Sequence, residues 1–145
     1  MDAITHEAAL DRRAAPAIVI GNRDLRRLRS IVERHAGGVD GAEAERLRAQ
    51  LNHAIVVPQW HLPSDVVALD STVVIEDVTA ARTRDVVLVE PEEADASRGL
   101  ISVLAPLGRA ILGTAEGETV VVERPQGETS KLRIRAVLPP NRGAA

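Results

Sequence analysis

Two hydrophobic periods divide the chain. Leu25, Leu28, Val32 and His35 recur at spacings of three, four and three, the stripe of a helix that packs against another helix. Ala44, Leu47, Leu51 and Ala54 repeat the pattern after Gly37 and Gly38. Glycine tolerates the left-handed conformation that ends a helix, so the two stripes predict an antiparallel helical hairpin with a tight turn. Asn22 stands where an N-cap would, and Asp24 in the first turn complements the helix dipole. The apolar run at residues 17–20 (AIVI) is strand-like. Past Pro58 and the His61-Leu62-Pro63 stretch the period shortens. Apolar, β-branched runs at residues 72–75, 85–89, 100–103, 118–122 and 132–137 then predict strands. Residues 106–112 read as a short helix, with Pro106 near its start and Gly113 past its end.

The resulting organisation is α+β: a short amino-terminal helical hairpin, then an antiparallel β-sheet domain with one short helix. Its expected boundaries are a flexible tail at 1–16, the hairpin at 17–57, a linker at 58–67, the sheet domain at 68–139 and a loose tail at 140–145. The hairpin stripe is expected to be buried within the hairpin itself, giving a monomer.

Composition narrows what such a chain can do. Trp60 is the single aromatic among 145 residues, and cysteine is absent. The core must be aliphatic, aromatic platforms for stacking bases are missing, and disulfides, thiolate zinc sites and cysteine nucleophiles are excluded. With 18 basic and 21 acidic residues the net charge is -3, which leaves no electrostatic footprint for a nucleic-acid binder. No apolar run approaches a membrane span. Residues 1–15 are charged throughout and lack a signal-peptide core, so a cytoplasmic protein is expected.

Candidate chemistry is sparse. His6, His35, His53 and His61 are scattered over tail, helices and linker, whereas a metal site needs three or four convergent ligands; no metal or cofactor is expected. No serine or threonine lies in a nucleophile or phosphate-loop pattern. Asp40 and Glu43, at the hairpin tip, are the sharpest local pair. Two carboxylates there could hold a divalent cation, but Asp-x-x-Glu at a helix start is also a capping box, and that is the favoured reading. Arg23, Arg26, Arg27, Arg29 and Arg34 on the first helix fit a partner-steering arm or a solvated face equally well. Glu90, Glu92, Glu93 and Asp95 read as a solvated acidic loop.

Residues 100–113 (LISVLAPLGRAILG) resemble the carboxy-terminal signature of the Gre transcript-cleavage factors and Rnk-type regulators. In that family a strand leads into Ser/Ala-Pro-Leu-Gly-[KR]-Ala-Leu-Leu-Gly. The following AEGETVVV at residues 115–122, the opening strand DSTVVIED at 70–77 and the linker LNHAIVVPQWHLPSDVV at 51–67 fit the same pattern in the same order. The resemblance implies an FKBP-like domain that docks on bacterial RNA polymerase near its secondary channel. It places the contact at Leu104, Ala105, Pro106 and Leu107, rimmed by Arg109. A prolyl-isomerase activity is rejected, because such pockets are walled by aromatics and none follows Trp60. In cleavage factors a long coiled coil carries acidic tip residues to a catalytic magnesium ion. Here each helical arm is only about 20 Å long, so the short hairpin is similar to the Rnk type. The expectation is a non-enzymatic polymerase-binding regulator that competes with other channel-binding factors. A cleavage factor using Asp40 and Glu43 and a regulator of a nucleotide kinase are the alternatives.

Overall fold

The computed structural model describes residues 17–124 and 126–140. The tails expected at 1–16 and beyond 140, and Pro125 of the last turn, lie outside the described residues. Strand β1 (Val19–Gly21) leads into α1 (Asn22–His35), and a turn at residues 36–40 leads into α2 (Gly41–Asn52). Strand β2 (Ile55–Val57) returns beside β1 and is followed by a 3-10 turn (Gln59–His61). The remainder is β3 (Thr72–Asp77), β4 (Arg82–Val89), β5 (Leu100–Ser102), α3 (Pro106–Ile111), β6 (Thr119–Glu123) and β7 (Thr129–Leu138).

Two expectations change at the base of the helical pair. The second stripe reaches Ala54 in the sequence, but α2 ends at Asn52 and Ile55–Val57 forms a strand. Three β-branched residues stiff at χ1, followed by Pro58, favour extended backbone over another helical turn. β1 and β2 pair in parallel, with Val19 opposite Ile55 and Gly21 opposite Val57. The Asn22 cap also fails: the cap position is Gly21, and no side chain there bonds the helix. Instead Gln59 Oε1 accepts from the backbone N–H groups of Arg23 and Asp24 at 2.8 and 2.9 Å. Asn22 Oδ1 in turn accepts from the Gln59 N–H at 2.9 Å. The orphan donors at the start of α1 are thus met from a turn distant in sequence.

The main sheet has the order β5-β4-β3-β7-β6. It is mixed rather than antiparallel: β5 runs parallel to β4, with Val87 opposite Leu100 and Val89 opposite Ser102. A parallel neighbour requires a long connection instead of a tight turn, and residues 90–99 supply it through two 3-10 turns. β7 alternates exposed and buried positions, so that Ser130, Leu132 and Ile134 face inward.

One aliphatic core joins these parts. Leu28, Ile31, Leu47 and Leu51 from the helical pair share a cluster with Val73, Val86, Leu88 and Ile134 from the sheet and Ile111 from α3. Leu28, Ile31, Leu47, Leu88 and Ile111 are fully buried, each contributing about 1.5–3 kcal/mol relative to exposure. Val66 and Val67, at the end of the expected linker, are buried at 7% and 1%. The apolar stripes of the helices therefore face the sheet as well as each other.

Candidate functional site

The signature LAPLGRA forms a tight corner where β5 passes into α3. Ser102 organises it twice: its Oγ accepts from the Leu104 N–H at 2.9 Å, and its carbonyl accepts from the Ala105 N–H at 3.0 Å. Pro106 occupies the first turn of α3, where its missing N–H has no partner to lose. Gly108 rests on β5; a Cβ there would run into the Ser102 carbonyl oxygen. Arg109 Nη1 donates to the Leu104 carbonyl at 2.6 Å, and Gln50 Nε2 on α2 donates to the Arg109 carbonyl at 2.7 Å. Gly113 ends the helix segment at φ +77°, as its place after residues 106–112 predicts. Its N–H donates to Val67 and its carbonyl accepts from the Val19 N–H. Strands β5 and β1, α3 itself and the end of α2 thus fix this segment.

Of the five residues assigned to this contact, four line accessible surface and one does not. Leu104 is 3% exposed and belongs to the core; the register of the corner turns it inward. Ala105 and Leu107 are partly exposed and Pro106 is exposed. All three border a groove of about 740 Å³ whose floor includes Ile75, Ile101 and Leu132. Arg82, Arg84 and Arg124 stand on its rim. The depression is largely apolar with a mixed charged edge: Asp77 and Glu123 also line it, and Arg124 lies 3.5 Å from Asp77.

At the helical tip the expected capping box is not formed. Asp40 occupies the cap position, with φ -95° and ψ 22°, but makes no side-chain bond to the helix. Cap geometry needs an extended residue there. The Asp40 carboxylate lies 3.7 Å from His35 Nδ1 instead. Glu43 goes elsewhere, lining a second groove beside Arg46 and Arg109. Asp40 thus sits beside His35 while Glu43 shares a groove with Arg109, a proximity that sequence spacing does not reveal.

The arginines of α1 and the acidic loop, read separately in the sequence, meet in a seam. Arg27 donates to Glu90 through Nε at 3.0 Å and Nη2 at 2.8 Å, and to Asp70 through Nη1 at 3.1 Å. Arg34 lies 3.3 Å from Glu92 and 3.5 Å from Glu90, and His35 Nε2 lies 3.3 Å from Glu92. Burial works to lower the Arg27 pKa, but the bonds to Glu90 and Asp70 outweigh it and hold the pKa above the usual value. Glu92 is held below its usual range by its own backbone N–H and by His35 and Arg34. Arg27 and Arg34 are thus engaged within the molecule, and Glu90 and Glu92 are their partners, not a merely solvated loop. The signal was present as two opposite charge runs, but nothing in the sequence sets them side by side.

Residues 62–139 match the family model described as Transcription elongation factor, GreA/GreB, C-term. The "Regulator of nucleoside diphosphate kinase" of Escherichia coli (strain K12) is 32% identical over 120 residues, covering 82% of this chain and 87% of that protein. The chain belongs to the Gre/Rnk family. Its Gre relatives are longer: a "Transcription elongation factor GreA" of Nitratidesulfovibrio vulgaris is 41% identical over 86 residues, and the match spans only 52% of its length. A solved "Prokaryotic transcription elongation factor GreA/GreB from Nitrosomonas europaea" superposes with a TM-score of 0.69 at 33% identity. It covers 85% of this chain and 98% of its own. The family match includes the whole corner, from β5 through α3 to β6. Among the described residues, no helix is long and apolar enough to cross a membrane.

Proposed function

We propose that this protein is a non-enzymatic regulator that binds bacterial RNA polymerase near its secondary channel, using the exposed corner Ala105, Pro106 and Leu107 with Arg109 behind it. The observation that carries this reading is the corner itself. Its backbone is bonded on both sides, its apolar tips border a groove of about 740 Å³, and it lies within the residues that match the family model. Fixed apolar side chains around a depression give affinity without an ordering cost.

The helical pair supports a regulatory rather than a catalytic role. α1 has 14 residues, about 21 Å at 1.5 Å per residue, and its last turn is tied to Glu92 on the sheet domain. It stands at the channel mouth, where it competes with other factors for the same entrance. Asp40 lies beside His35 and Glu43 lines the groove with Arg109, which supports structural rather than catalytic roles for the two.

The test is capture of core polymerase by the purified protein. Leu107→Asp abolishes capture while leaving the circular dichroism spectrum unchanged; capture equal to that of the wild type overturns the assignment. Stalled elongation complexes test the second half. No RNA shortening is expected, and shortening that disappears in Asp40→Ala would establish the cleavage-factor alternative. Capture of a nucleoside diphosphate kinase but not polymerase would establish the other.

A further inference from the structure

A second groove of about 620 Å³ lies between α2, α3 and β6. Glu43, Arg46 and Gln50 follow one another along one side of α2, and Arg109 stands opposite on α3. Gln50 bonds the Arg109 carbonyl and so fixes the two helices. Pro106 lines both this groove and the apolar one beside the corner, making the two surfaces continuous.

The charges in this groove differ from those of the α1 seam. Among the described residues, Arg27 and Arg34 lie within ion-pair distance of carboxylates, whereas neither Arg46 nor Arg109 does. Glu45, next to Arg46 in sequence, pairs with Arg48 instead. Arg109 is partly buried and keeps one donor on the Leu104 carbonyl. Burial and the positive charge of Arg46 push its pKa down, with Glu43 opposing. Arg46 and Arg109 thus line one groove without a bonded counter-ion, so both can offer charge-assisted hydrogen bonds to an incoming carboxylate.

We infer that this groove receives an acidic segment of the polymerase surface, gripped between Arg46 and Arg109, so that the docking face spans the helical pair as well as the sheet domain. The inference rests on the docking reading above. A polypeptide fits better than RNA, since no aromatic lines the groove to stack a base and the whole chain carries a net charge of -3. Glu43 and Glu123 stand in the groove wall. Arg124 also lines the wall but lies 3.5 Å from Asp77, so Arg46 and Arg109 are the cations offered to the segment.

Polymerase affinity of the wild type, Arg46→Gln, Arg46→Glu and the charge-matched control Arg29→Glu decides the matter, measured at low and moderate salt. Arg46→Glu should weaken binding by about tenfold or more and flatten its salt dependence, with Arg46→Gln intermediate and Arg29→Glu near wild type. Arg46→Glu binding like wild type, while Leu107→Asp still abolishes capture, overturns the inference and leaves the docking reading standing. An equal loss in Arg29→Glu also overturns it, because the effect is then one of net charge. If Arg46→Glu instead loses only binding of inorganic pyrophosphate, the groove is a small-anion site and the inference fails. A wild-type protein that does not bind polymerase removes both.

Discussion

The corner at Ala105–Leu107 and the tip at residues 36–43 are both exposed turns beside a helix start, yet they are built in opposite ways. At the corner, Ser102, Arg109 and Gln50 bond the backbone from strand, helix and helical pair, and Leu104 anchors it from inside the core. At the tip, Val39 is fully exposed and Asp40 leaves the start of α2 uncapped. Its contacts with the rest of the molecule run from Asp40 through His35 to Glu92 and from Glu43 into the groove shared with Arg109. A surface that must recognise a partner by shape benefits from the first arrangement. Chemistry at a metal would require carboxylates held in a common geometry; at the tip Asp40 lies beside His35 while Glu43 lines the groove with Arg109.

The largest effect that would break this contrast is expected at Gly108. In Gly108→Ala the new methyl group meets the Ser102 carbonyl oxygen and the Val103 Cα, backbone atoms that cannot swing aside. α3 must lift from β5, costing about 1–3 kcal/mol or more by overpacking. Urea denaturation should show the loss of stability, and polymerase capture should fall with it. Stability like that of the wild type would mean that the corner is not rigid.

Arg27→Ala comes next and acts on the other side. It removes three hydrogen bonds from the seam and leaves Glu90 beside Asp70 without the cation between them. The expected loss is about 1–2 kcal/mol, at the low end because the group is 28% exposed and screened by water. Hydrogen exchange should quicken in the last turns of α1 while the Ala105 and Arg109 amides keep their protection. Equal loss at both places would show that corner and tip open together.

How far the sequence foretold these regions follows from which forces set them. The corner was legible because its determinants are local: Pro106 at N1, Gly113 past the end and alternation in β5 all lie within a short window. The aliphatic strands were legible in their buried halves. β4 begins at Arg82, three residues before the run at 85–89, because Arg82, Thr83 and Arg84 are exposed and carry no hydrophobic signal. The parallel β5 and the seam were not legible, since both depend on where the 90–99 crossover lays Glu90 and Glu92. Leu104 fell on the wrong side of the corner for a similar reason: its inward turn is set by the bonds of Ser102 and Arg109, not by period.

The two helix starts carry the last and smallest tests, and they invert what their sequences suggest. At α1 the local candidate, Asn22, does not cap, and Gln59 does so across the β1–β2 base. Gln59→Ala should cost about 1 kcal/mol, the usual worth of a cap. At α2 the Asp-x-x-Glu spacing promises the same loss for Asp40→Ala, but Asp40 bonds no helix N–H and its side chain is half exposed near His35. Its replacement should change stability by no more than about 0.5 kcal/mol. Paired denaturation curves settle the order. If Asp40→Ala proves as costly as Gln59→Ala, the tip is a built cap after all, and its carboxylate is held more firmly than a merely regulatory finger requires.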